Sequence, residues 1–201
     1  MLGFGKSTKD TNNHDNQDRL VQAYKAVIDS CAITGENRVI SNSDASHAAY
    51  LLSVLFKHAQ QKVQIFTGSL YEGVFGDESL INNAVAFLRG GKDRKIEIAF
   101  QEASLVADIS SHSFIKQIFT SLDGSELHGK IKVYNASERD RYADITSHFT
   151  VMDSKAFRLE IDHEKRNAIA NFGDRESAVE LTEIFDFIRS NSQEINLYAG
   201  L

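Results

Sequence analysis

The chain contains no proline and a single cysteine. The first absence excludes a Pro-rich linker between domains. The second excludes an internal disulfide, and without a CxxC pair or a Cys/His cluster there is no zinc-type ligand set. Long apolar runs are missing as well: no stretch approaches the roughly 18 residues that a membrane-spanning helix needs. With no signal-like N-terminus, these features lead us to expect a soluble, cytoplasmic protein. Positive charge is scarce. The 22 Lys and Arg residues face 28 Asp and Glu, for a net charge of -6. That argues against a general nucleic-acid-binding surface, because neutralising phosphates takes an excess of cations. It leaves room for a local basic patch.

What is present is an ordinary apolar supply, 42% of 201 residues, enough for one core without staples. Residues 1–18, with the polar run Lys6 to Asp18, read as a disordered or extended leader, or one that orders only against a partner. Residues 19–201 read as one domain. Leu20, Tyr24, Val27, Ile28 and Cys31 mark a first amphipathic helix, with Cys31 in the core. Arg38–Ile40 is a short strand, and Ser43 or Asp44 caps a helix with the stripe Ala48, Leu51, Leu52, Leu55 and Phe56. Strands follow at Val63–Gly68, Ile96–Phe100 and Ile131–Tyr134, separated by helices around Leu80–Leu88 and Phe114–Leu122.

The tail is the most regular part. Phe149–Met152 is a strand bounded by Ser147 and Asp153-Ser154, and Ala156–Ile161 alternates strictly. Asn167–Phe172 is a third strand. Asp174 then caps a helix of about four turns carrying Ala178, Leu181, Phe185 and Ile188. Strands alternating with helices and then three successive strands predict an α/β fold. The expected sheet is mixed and mostly parallel, with helices on both faces and an antiparallel segment at the end.

Three places carry candidate chemistry. Arg158 and Glu160 lie two residues apart on the polar face of one strand, where they either bind an anion in a cleft or pair with each other. His148 opens the preceding strand, either satisfied by a neighbouring carboxylate or acting as a nucleophile. Gly68 and Ser69 follow a strand's C-terminal end, where open α/β sheets place ligands. With the Asp77-capped helix they offer backbone N–H groups to a phosphate. Gly68 to Gly73 lacks the Lys-Ser/Thr of a P-loop, so it gives no support for triphosphate binding. Tyr71, Val74 and Phe75 in the same connection are loop anchors or a dimer contact. Glu176, Glu180, Glu183 and Asp186 form a solvated helix face and no metal site.

The order of elements over roughly residues 38 to 191 resembles one half of the phospholipase D superfamily (the HKD, or PLD-like, fold). The tail carries the resemblance: a strand ending in Asp153, a turn, a second strand, then a strand opening with Asn167 and leading to an amphipathic helix. The family's motif is His-x-Lys with an Asp five residues after the Lys. Aligning that Asp with Asp153 puts Thr146 at the family's His and His148 at its Lys, so the motif reads Thr-x-His-x4-Asp. The family's Gly-Ser-x-Asn run has no counterpart, and Ile169 stands where an acidic residue is usual.

The resemblance implies metal-independent phosphodiester chemistry. One His attacks, a second protonates the leaving oxygen and Lys holds the phosphate, with no cofactor or metal. One motif per half-domain implies a two-fold homodimer. Two functions follow. One is a non-catalytic or regulatory module with a degenerate motif, binding a protein, nucleotide or nucleic-acid partner. The other is a phosphodiesterase or nuclease using His148 from two subunits, since a two-residue shift keeps the same strand face. The candidate site is His148 and Asp153 for catalysis, with Thr146, Arg158, Glu160, Asn167, Gly68 and Ser69 for binding. A doubly wound domain with flavodoxin-like parallel order is a third possibility for the fold.

Overall fold

The computed structural model describes residues 9–105, 109–137, 145, 147–162 and 167–197. Helix α1 (Lys9–Thr34) comes first, followed by β1 (Ile40–Asn42), α2 (Ala45–His58), β2 (Lys62–Thr67), α3 (Glu72–Phe75) and α4 (Glu78–Arg89). Next are β3 (Lys95–Phe100), α5 (Ser113–Ser121), α6 (Gly124–Leu127) and β4 (Ile131–Asn135). The tail is β5 (Phe149–Met152), β6 (Ala156–Asp162), β7 (Asn167–Asn171), α7 (Arg175–Ser190) and β8 (Gln193–Ile195).

The helix starts follow from their capping residues. Asp44 accepts from the His47 amide at 2.8 Å, Asp77 from Leu80 at 2.9 Å and Asp174 from Ser177 at 3.1 Å. Helix α1 starts at Lys9, inside the segment that the sequence reads as a leader. Ile28 and Cys31 anchor its C-terminal half in the core. Once a helix is nucleated, extending it through polar residues costs little.

The eight strands form one sheet in the order β1-β7-β6-β5-β2-β3-β4-β8. Strands β1, β2, β3, β4 and β6 run one way and β5, β7 and β8 the other. Only the β2–β3 and β3–β4 ladders are parallel, so the sheet is mixed as expected but richer in antiparallel pairing. The reason is local. Strands β5, β6 and β7 follow one another without intervening helices, so each pairs antiparallel with its neighbour. β1 closes that edge antiparallel to β7. This order is not the flavodoxin-like one.

Helices cover both faces unequally. On one face, α1, α2, α4 and α5 pack over Val63, Ile65, Ile96, Ile98 and Val133. On the other, α7 lies over Phe66, Phe149, Val151 and Phe157 through Ala178, Leu181, Phe185 and Ile188. Because β2 and β3 are buried on both sides, their polar residues need partners. Gln64 donates to Glu97 at 3.1 Å and to Asp186 at 3.2 Å, and Arg189 donates to Glu97 at 3.3 Å. Asp186 therefore belongs to the network fastening α7 to the sheet and not to a purely solvated face.

A polar row at one end of the sheet: the candidate ligand site

Strand register assembles the site. Asn42 of β1 pairs with Ala168 of β7, and Ala168 pairs with Glu160 of β6. The Glu160 amide donates to the His148 carbonyl at 2.8 Å, placing His148 just before β5 beside it. Side chains directly opposite in neighbouring strands share a face. Asn42, Glu160 and His148 thus line up on the face that carries Ile40 and Ala170. The row continues to Gly68, just past β2, and Gln101, just past β3. It lies at the C-terminal ends of the parallel strands, the usual ligand edge of such sheets.

His148 is the centre. Its Nδ1 lies 3.0 Å from Glu160 Oε2, and its Nε2 lies 3.3 Å from Gln101 Oε1. The His148 and Glu160 side chains are only 15% and 13% exposed, so this carboxylate–imidazole pair is shielded from water. Gly68 lies against the ring: a Cβ there would sit 3.0 Å from Cε1 and 3.1 Å from Nε2. That close approach is what position 68 requires.

Arg158 stands one row away, paired in register with Ala170 and Thr150. It makes no ion pair with Glu160. Instead its Nε donates to Asn42 Oδ1 at 3.2 Å. Burial pulls its pKa down, while Glu160 and Tyr24 act to raise it. An arginine in such surroundings still keeps its charge. Tyr24 is pushed up to about 12 by burial and by Asp44, eased by Arg158. Burial raises the Asp44 carboxyl, but hydrogen bonds from the His47 amide and from Ser46, with the His47 charge, outweigh it and leave the pKa low.

The other candidates fall elsewhere. Asp153 lies at the opposite end of β5, where it accepts from the amides of Gln60, Gln61 and Lys62. Asn167 alternates onto the face of Ile169, the α7 side, away from the His148 ring. Ser69 accepts a hydrogen bond from Thr67 Oγ1 at 2.6 Å through its carbonyl oxygen. Thr146 lies outside the described residues. The Asp77 and Glu78 carboxylates crowd the start of α4, which disfavours an anion there. Phe75 is a core residue, 5.4 Å from the Phe114 ring, so only Tyr71, at 47% exposed, remains as an accessible aromatic of that connection. Two members of the row had no sequence signal: Gln101 and Asn42 are single polar residues at strand ends. Among the described residues, no group of three or more His, Cys, Asp or Glu can hold a metal ion.

No protein-family model matches the chain, and no curated protein matches it either. Solved structures do. TrmBL2, an archaeal chromatin protein with a novel mode of DNA binding, superposes with a TM-score of 0.54 at 11% identity, over 92% of this chain and 66% of that one. The phospholipase D family member Nuc from Salmonella typhimurium gives 0.54 at 13% identity, over 79% of this chain and 98% of that one. The fold is PLD-like. Phosphatidylserine synthase from Haemophilus influenzae Rd KW20 gives 0.50 at 12%, over 78% and 39%. The chain thus spans just under two thirds of TrmBL2, nearly all of Nuc and well under half of the synthase. Identities this low carry the PLD-like architecture and nothing about activity. Among the described residues, no helix is long and apolar enough to cross a membrane.

Proposed function

We propose that this PLD-like domain is a binding module that does not cut phosphodiesters, with a degenerate HKD motif, working in the cytoplasm as a homodimer. One observation carries the reading: His148 is closed off at both ring nitrogens. Nucleophilic attack on phosphorus needs the Nε2 lone pair free and a space beside it for the reacting atom. Here the Gln101 amide occupies Nε2 whichever way it is turned, and Gly68 lies against the same edge. The family's phosphate-holding Lys is itself replaced by His148. The PLD-like fold is carried both by proteins named as enzymes and by a DNA-binding chromatin protein, so binding without cutting suits it. The net charge of -6 favours a nucleotide or protein partner over a nucleic acid. The homodimer rests on the resemblance to a half-domain, with the loop of exposed Tyr71 as its contact region, since β5 is buried inside the sheet.

A second reading has its own observation. The Glu160 carboxylate on Nδ1 is the contact that orients a catalytic imidazole. On that reading His148 from two subunits hydrolyses phosphodiesters without metal. The test is hydrolysis of a generic phosphodiester and of single- and double-stranded DNA and RNA in EDTA, for the wild type beside His148→Ala. The binding-module reading expects no turnover from folded protein. Turnover that survives EDTA and disappears in His148→Ala overturns it. Light scattering checks the dimer, and a monomer at all concentrations removes that part.

A further inference from the structure

The β1 end of the polar row contains donors without acceptors. Asn42 is 4% exposed, and its Nδ2 is buried with no hydrogen-bond partner among the described residues. The orientation of its amide is fixed: arginine has only donors, so the Asn42 oxygen must face Arg158 Nε, and Nδ2 is left over. Among the described residues, Arg158 bonds through Nε alone. Its two terminal nitrogens make no hydrogen bond or ion pair to any described residue. A buried unpaired amide beside a half-buried, half-used guanidinium is uncommon, because folded proteins satisfy such groups or bind something that does.

The carboxylates nearby are already engaged. Glu160 is bonded to His148, and Asp44 takes the Ser46 hydroxyl and the His47 amide and ring. Between Arg158 and Asn42, strand β7 presents Ala168 and Ala170 on this face, which carry no polar side-chain atom to satisfy either group. Tyr24 adjoins this end: its hydroxyl donates to the Ser41 carbonyl, and its ring lies 4.2 Å from the His47 imidazole.

We propose that Arg158 and Asn42 form an oxyanion site, taking one phosphate or carboxylate group of a small ligand. The Arg158 fork grips two oxygens and Asn42 Nδ2 donates to the second or to a third. The site deepens the binding-module reading and rests on it, since it supplies that module with a ligand class. With Glu160 and Asp44 nearby, a singly charged group is preferred over a dianion.

The experiment titrates the full chain with inorganic phosphate and, separately, with acetate, by calorimetry and thermal midpoint, at ionic strength held constant with chloride. Saturable binding at one site per chain is expected for at least one anion. Arg158→Lys keeps the charge and loses the fork, and Asn42→Ala loses the third donor. Each is expected to weaken binding by about tenfold or more. Preference for phosphate identifies a phosphorylated small molecule as the ligand, and preference for acetate a carboxylate. If Arg158→Lys fails to fold, Asn42→Ala, which only shortens a side chain, decides. No saturable binding by the wild type, or binding unchanged in Asn42→Ala, overturns the site and assigns water to Asn42 Nδ2. The EDTA hydrolysis assay reports separately on the parent reading, so either can fail alone.

Discussion

Asp153 stands in the turn between β5 and β6 with φ +51, as does Ser154, the sign that a type I′ hairpin turn requires at both central positions. Its carboxylate accepts from the amides of Gln60 at 2.7 Å, Gln61 at 2.8 Å and Lys62 at 2.7 Å. It therefore ties the α2–β2 connection to the β5–β6 hairpin across more than ninety positions of sequence. Removing the carboxylate in Asp153→Ala forfeits three partly exposed bonds, about 1 kcal/mol each net. It also forces an alanine into the left-handed region at about 1 kcal/mol more. The sum is about 4 kcal/mol, a large share of a typical domain's 5–15 kcal/mol. Asp153→Gly drops the conformational part and should cost about 3 kcal/mol, while Asp153→Asn keeps one acceptor oxygen and should cost about 1–2 kcal/mol. Urea unfolding followed by circular dichroism measures all three, with the order Ala, Gly, Asn from least to most stable. An alanine variant within about 0.5 kcal/mol of wild type, outside the range expected for a lost three-bond anchor, would refute the reasoning. So would a glycine variant weaker than alanine. At about 3.3 Å per residue, Asp153 lies roughly 16 Å along the strand from His148. Ligand affinity per folded molecule should therefore be unchanged.

Three further outcomes follow from particular contacts. Gly68→Ala should push the His148 ring off Gln101 at a cost of about 1 kcal/mol, read as a changed imidazole NMR spectrum with little loss of fold. At Gly173, a Cβ would land on the Gly35 carbonyl oxygen and 2.5 Å from the Asn37 backbone nitrogen, so Gly173→Ala should cost about 3 kcal/mol in urea unfolding; near-neutral behaviour contradicts the packing. His58 has its pKa lowered by burial and by Lys57, against the pull of Asp29. The unfolded chain then takes up the proton first, so its contribution is whole above about pH 6.5 and is lost as pH falls through the folded value. Urea midpoints at pH 7.5 and 5.5 should differ less in His58→Gln than in wild type, and an equal difference rules His58 out.

Much of the architecture could be read along the chain because the apolar spacing is clean. Val63, Ile65, Ile96, Ile98 and Val133 recur at period two, and the α7 residues Ala178, Leu181, Phe185 and Ile188 at helical spacing, where the structure buries them. Less visible were elements with little apolar content: β8, whose Gln193 and Glu194 are exposed, and the short helices α3 and α6. The extent of α1 was hidden for the same reason, since Lys9 to Asp18 carries no periodicity and becomes helical by continuation from an anchored end. The position of β1 shifted from Arg38–Ile40 to Ile40–Asn42 because its pairing with Ala168–Ala170, and not its own pattern, sets its limits.

Of the candidate site, His148, Glu160, Arg158 and Gly68 were legible as polar or flexible residues at strand ends, since alternation fixes the face of each within its own strand. Who meets whom was not, because that depends on strand order. Placing β7 between β1 and β6 brings Asn42 to Arg158, 116 positions later in the chain, and placing β5 beside β2 brings His148 onto Gly68 and Gln101. The same order sends Asn167 to the far face and Asp153 to the far end. Local periodicity and capping determined the elements and the faces of their side chains, both set by contacts a few residues apart. Tertiary structure alone decided which carboxylate holds His148 and which amide, among the described residues, has no partner beside Arg158, because those depend on ladders formed between distant segments.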